Sequence, residues 1–131
     1  MLTLAQAQRL AAAARAAAAA EGIAVAVVVV DAGGHVLLVE RMDGAYLSAP
    51  RLGEGKAFTA LNFRAPTRAM VERLPDPAYR GLIAAADPRL VLIPGGAPIV
   101  VAGELEGAIG VSGGSAEQDE RLCEAALRAI S

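Results

Sequence analysis

Residues 23–30 read IAVAVVVV, a run without a single polar position. A run this rich in β-branched residues predicts a strand covered on both faces. DAGGH follows, with an aspartate able to bond its own backbone and glycines free to take positive φ. HVLLVERM, residues 35–42, predicts the returning strand of a hairpin. Ahead of the run, Thr3 and Gln6 have the spacing of a capping box, and Leu2 and Ala7 that of a hydrophobic staple. A helix is expected from there to about Glu21, ended by Gly22. Its alanine repeats read as helix propensity and close packing.

Beyond the hairpin the pattern changes period. Residues 43–55 (DGAYLSAPRLGEG) predict irregular chain or the start of a short helix. KAFTALNF, 56–63, predicts a helix with Ala57, Phe58 and Leu61 inward. PTRAMVERL, 66–74, predicts another, with Pro66 in its first turn and Pro75 and Pro77 beyond its end. Residues 76–89 read as a connector with one short helical turn. Three apolar runs then predict a meander: LVLIP (90–94), APIVVAG (97–103) and LEGAIGVSG (105–113), with tight connections at Gly95 and Gly96 and at Gly103 and Glu104. A capped helix from Ser115 to about Ile130 closes the chain, with Cys123, Ala126, Leu127 and Ile130 on one face. The order is α-β-β-α-α-β-β-β-α, a single α+β domain with helices packed on an antiparallel sheet.

Composition narrows the function classes. The chain has 131 residues, 55% hydrophobic and 20% charged, as expected of one globular domain. Net charge is −2, with no basic block and no Trp, which argues against a nucleic-acid partner. No run reaches the ~20 apolar residues of a membrane span. The N-terminal segment carries Arg9 and Arg15 inside its apolar part, unlike a signal peptide, and the single Cys123 cannot form an internal disulfide. The expectation is a cytoplasmic protein.

Candidate chemistry is sparse. GVSGG, 110–114, has the G-x-S-x-G form of a nucleophile elbow, but the only histidine is His35, far upstream, whereas an α/β-hydrolase needs it downstream. Ser112 is therefore not read as a nucleophile. Ser115 and Gln118 form a capping box, and Glu117, Asp119 and Glu120 complement the helix dipole and repel an anion. Gly113 and Gly114 then serve either a ligand loop or a sharp turn. Lys56 is the sharpest residue: of 12 basic residues, 11 are Arg and it is the lone Lys. It is a surviving surface charge, a point charge for a carboxylate, or an amine able to act as a base. Asp31, Glu40 and Asp43 read as solvated charges, and no metal-ligand cluster is visible. Candidate heme ligands are His35, Met42, Met70, Cys123, Tyr46 and Tyr79, none in a diagnostic setting.

Taken together, VVDAGGHVLLVERMDGA (29–45), GKAFTA (55–60) and PGGAPIVVAGELEGAIGVSGGSAEQDE (94–120) resemble the GlcG/HbpS family, which includes the C-terminal domain of PduO-type proteins. The resemblance implies a profilin-like fold with a five-stranded antiparallel sheet, its first hairpin beside the last strand. It also implies dimers that assemble into octamers, small-molecule pockets near subunit interfaces, and heme as a ligand of several members. Asp31, Arg41, Gly95, Gly96 and Gln118 match family positions and are expected, by that resemblance, among the ligand-binding residues. In the expected pocket Lys56 supplies charge, Thr59 a hydrogen bond and Phe63 an apolar wall, while Gly113 and Gly114 admit close backbone approach. The expected function is a homo-oligomeric small-molecule binding protein. Alternatives are a cofactor-independent isomerase, lyase or proton-transfer enzyme with Lys56 catalytic, or an accessory subunit of an enzyme complex.

Overall fold

A computed structural model describes residues 1–130. Helix α1 (Leu4–Ala20) opens on the Thr3–Gln6 capping box, both reciprocal bonds being present. Gly22 follows its end with φ 71°, a conformation open to glycine without a Cβ clash. Strands β1 (Ala26–Asp31) and β2 (Val36–Arg41) form the expected hairpin. In its turn, Asp31 Oδ1 accepts from the backbone N–H of Gly33 and His35, each at 2.9 Å. Helix α2 (Ala49–Phe63) begins well before Lys56, and α3 (Arg68–Arg73) follows. Helix α4 (Pro77–Ala86) replaces the expected single helical turn, its first turn capped by Asp76. Strands β3 (Gly96–Val101) and β4 (Glu104–Ser112) and helix α5 (Ala116–Arg128) complete the order.

The sheet has four strands, not five, in the order β2-β1-β4-β3, all antiparallel. The first hairpin does lie beside the last strand, since β1 pairs with β4 along its whole length. LVLIP, expected as the fifth strand, is irregular chain outside the sheet and bends from Ile93. Leu90 and Leu92 drop into a satellite cluster with Ala65 and Met70, and the Val91 N–H donates to the Thr59 hydroxyl at 2.8 Å. With Leu90 and Leu92 buried there and the Val91 amide satisfied by a side chain, the segment takes no place in the ladder. Gly95 and Gly96 therefore form no hairpin; they lead straight into β3. The other connection is a two-residue turn, with Ala102 and Gly103 at φ 51° and 82°, the signs that match strand twist.

Helices cover both faces of the sheet. Val27, Val29, Ile109 and Val111 pack with α1 and α5, while Val28, Val30 and Ala108 meet Ala57 and Ala60 of α2. The alternation along β1 explains its unbroken apolar run: both faces are core. The buried face of α1 is mostly alanine (Ala7, Ala11, Ala14, Ala18) around Leu10, so it lies close to its neighbours. On the other face the approach is closer still. A Cβ at Gly110 would stand 1.9 Å from the Gly53 carbonyl oxygen, so glycine is needed where α2 crosses β4.

Candidate functional site

Lys56 lies in the middle of α2, on the turn that crosses the end of β4. It is 2% exposed, among the most buried side chains of the protein. Its Nζ donates to the Val111 carbonyl and to Asp119 Oδ2, both at 2.9 Å. Asp119 is equally buried, and its Oδ1 accepts from the Gly114 N–H at 2.9 Å. A buried charge is tolerable only when paired and hydrogen-bonded, and this pair meets that condition at both ends. The pair ties α2, the end of β4 and the first turn of α5 into one unit.

Glycines make the room. Gly95 has φ 120°, and a Cβ there would lie 2.7 Å from the Val111 carbonyl oxygen and 2.8 Å from Lys56 Nζ. Its own carbonyl accepts from the Val111 N–H at 2.8 Å and from the Cys123 thiol at 2.9 Å. Gly96 presses on the Lys56 carbonyl and is pinned by the Thr67 hydroxyl, which accepts from its N–H at 2.9 Å. Burial pushes the Cys123 thiol up to about 12, with the nearby Lys56 charge opposing. That leaves an unreactive, protonated thiol.

Beside this unit opens a cleft of about 300 Å³. Tyr46, Leu52, Ile93, Gly113 and Gly114 line it, together with Lys56 and Asp119. The lining is largely apolar. Ser112 borders it too, but lies opposite Ala26 at the start of β1, while His35 follows the end of that strand. About 3.3 Å per residue separates the two along the strand, so they form no dyad. Tyr46 of the lining is 72% exposed, and Leu47 next to it in the chain 88%.

The other positions singled out in the sequence scatter. Gly95 and Gly96 frame Lys56, while Gln118 serves the capping box with Ser115. Thr59 has its hydroxyl committed, donating to the Gly55 carbonyl at 2.7 Å and accepting from Val91. Phe63 packs in the satellite cluster at the end of α2. Asp31 holds the hairpin turn, its carboxyl below the usual range because backbone N–H groups, His35 first, donate to it. Arg41 is exposed, opposite Ala26 on the edge strand β2. Asp119 escaped the sequence reading as a partner for Lys56. The signal was there: it falls one turn before Leu122 and Cys123 on the buried face of α5, and a core-facing acid needs a buried cation. Among the described residues, no three His, Cys, Asp or Glu side chains group as metal ligands. No helix among them is long and apolar enough to cross a membrane.

The family described as "Haem degrading protein HbpS-like" matches residues 2–128. The chain belongs to the HbpS-like family. It is 38% identical, over 99% of its length and 92% of the relative's, to an uncharacterized 15.0 kDa protein of the dhaT-dhaS intergenic region in Citrobacter freundii. It is 34% identical to the corrinoid adenosyltransferase PduO of the same organism, over 80% of this chain but only 32% of that protein. The crystal structure of a PduOC:heme complex superimposes with a TM-score of 0.90 at 31% identity, covering 99% of this chain and 95% of that one. The HbpS-like fold is thus the setting of the cleft at Lys56.

Proposed function

We propose that the protein is a homo-oligomeric binding module whose cleft beside Lys56 takes heme. The observation that carries this is the likeness, along nearly the whole chain, to the PduOC:heme complex. The chemistry of the cleft fits the group. Its walls are apolar, Gly113 and Gly114 present backbone without side chains, and Tyr46 brings a phenol of the kind that ligates heme iron. Lys56 is held by Asp119, so its role there is to fix the wall. When bound, heme supplies an iron whose reactivity follows the axial ligand. The other candidate ligands lie elsewhere: Met70 in the satellite cluster, Cys123 and Met42 with the main core, Tyr79 on α4 and His35 at the hairpin turn.

Self-association fits the exposed apolar side chains of Tyr46, Leu47 and Ile93, and the exposed Val36 and Val39 of the edge strand β2. Dimers assembling into octamers and a profilin-like classification belong to the same proposal, supported by the family resemblance, as does a cytoplasmic location, with which the free, buried Cys123 is consistent. Titrating heme into the purified protein tests the reading. A saturable Soret shift at stoichiometric heme supports it, and an unshifted spectrum overturns it.

A further inference from the structure

A second cleft, of about 560 Å³, opens on the far side of Leu52. One wall is the face of α2 carrying Arg51, Glu54, Gly55 and Phe58, spaced i, i+3, i+4 and i+7. The β1–β2 turn and the segment around Arg89 close the other sides. Gly55 allows the closure, since a Cβ there would stand 2.3 Å from Val91 Cγ2. The Arg89 guanidinium lies 4.5 Å over the Phe58 ring. Asp87 grips it by one edge, with Nε to Oδ1 at 3.0 Å and Nη2 to Oδ2 at 2.7 Å. Stacked and gripped, this arginine is pre-organised, and its Nη1 edge keeps unused donors in the fork geometry that matches a carboxylate. The Arg51 side chain, on the same cleft, has no hydrogen bond or ion pair among the described residues.

We propose that this cleft is a binding site for a flat aromatic monocarboxylate. The carboxylate is received by the free edge of Arg89 and by Arg51. The ring lies against Leu52, Phe58 and Val91, which supply the apolar surface. Glu54 on the same wall sets the charge limit: it repels a multiply charged anion such as phosphate and leaves the site to a single negative charge. The site is separate from the heme reading: the two clefts share Leu52, but Arg51 and Arg89, which receive the carboxylate, line only this one, and the ligand carries no iron.

The test is a titration of the full chain with 2-naphthoate, followed by calorimetry and by amide NMR shifts. Saturable binding is expected, with shifts at Gly33, Gly34 and Gly55. Arg89→Gln and Arg51→Gln should each weaken it about tenfold, the scale of one charge-assisted hydrogen bond. Both positions are exposed, so a native circular-dichroism spectrum is expected of each variant. The uncharged 2-naphthalenemethanol should bind at least about tenfold more weakly. Three results overturn the proposal: equal affinity for the alcohol, shifts confined to Gly113 and Gly114, or no saturation up to the solubility limit of the probe. Displacement of 2-naphthoate by equimolar inorganic phosphate also overturns it.

Discussion

Lys56 Nζ and Asp119 Oδ2 meet at 2.9 Å with both side chains almost wholly excluded from solvent. Removing one partner leaves the other charge buried without compensation, which costs about 3–5 kcal/mol. Lys56→Met is therefore expected to lower the urea midpoint steeply, as is Asp119→Leu. The double variant Lys56→Met/Asp119→Leu should recover most of the loss, because an apolar pair of similar volume carries no desolvation cost. A double variant less stable than either single one would show that the pair is not the linkage described. Lys56→Arg keeps the charge but not the fit, since Gly95 and Val111 close tightly around the ammonium. It too should be destabilised.

Gly95 and Gly44 both have positive φ, 120° and 86°, yet their surroundings differ. A Cβ added at Gly44 would meet nothing within 4 Å, so Gly44→Ala carries only the backbone penalty, about 1 kcal/mol. At Gly95 the added methyl collides with the Val111 carbonyl and the Lys56 ammonium. Gly95→Ala should cost about 3 kcal/mol or more, backbone strain and overpacking together. Thermal unfolding of the two variants side by side checks the contrast, and equal losses would contradict it.

The Cys123 thiol gives a pH signature. Its pKa rises from an ordinary 9.0 to about 12 in the fold, because burial penalises the thiolate. The neutral form is the one the fold prefers. Its contribution is fully present below pH 9 and is lost as pH climbs from 9 towards 12. Cys123→Ala should remove this part of the alkaline loss, measured as the difference between the two chains in urea unfolding across that range. The native thiol should also resist alkylation at neutral pH and react only once the chain is unfolded. Fast labelling of the native protein would contradict the burial.

Much of the architecture was legible because the local signals agree with the tertiary ones. Both capping boxes, the hairpin held by Asp31 and the double-faced strand at 26–31 follow from pattern and turn chemistry. LVLIP misled because a short apolar run has the same appearance in a strand and in an irregular segment lying on a satellite cluster. What separates them is the Thr59 hydroxyl that takes the Val91 amide, a contact across 32 residues of chain. The lone lysine stood out by composition, but its partner did not. Asp119 has the look of an ordinary first-turn acid, and only the register of α5 turns it inward. The cleft was the least legible, because Tyr46 and Leu52 come from the stretch 43–55 and Ile93 from LVLIP, two distant stretches that no periodicity joins.

Tyr46 is the cleft residue with a group suited to heme iron, and it also stands largely exposed at the rim. If its phenolate ligates ferric heme, the wild-type complex should show phenolate-to-iron charge-transfer absorption beside the shifted Soret band. Tyr46→Phe keeps the ring and removes the oxygen. It should abolish the charge-transfer band and weaken heme affinity by about tenfold or more, while leaving the unfolding midpoint unchanged because the side chain buries little. Tyr79→Phe, on the exposed face of α4, serves as the control and should leave both spectrum and affinity as they are. An unaltered spectrum in Tyr46→Phe would remove the phenol from the iron. Heme binding that persists in that variant, with the same affinity, would move the ligand to another group altogether.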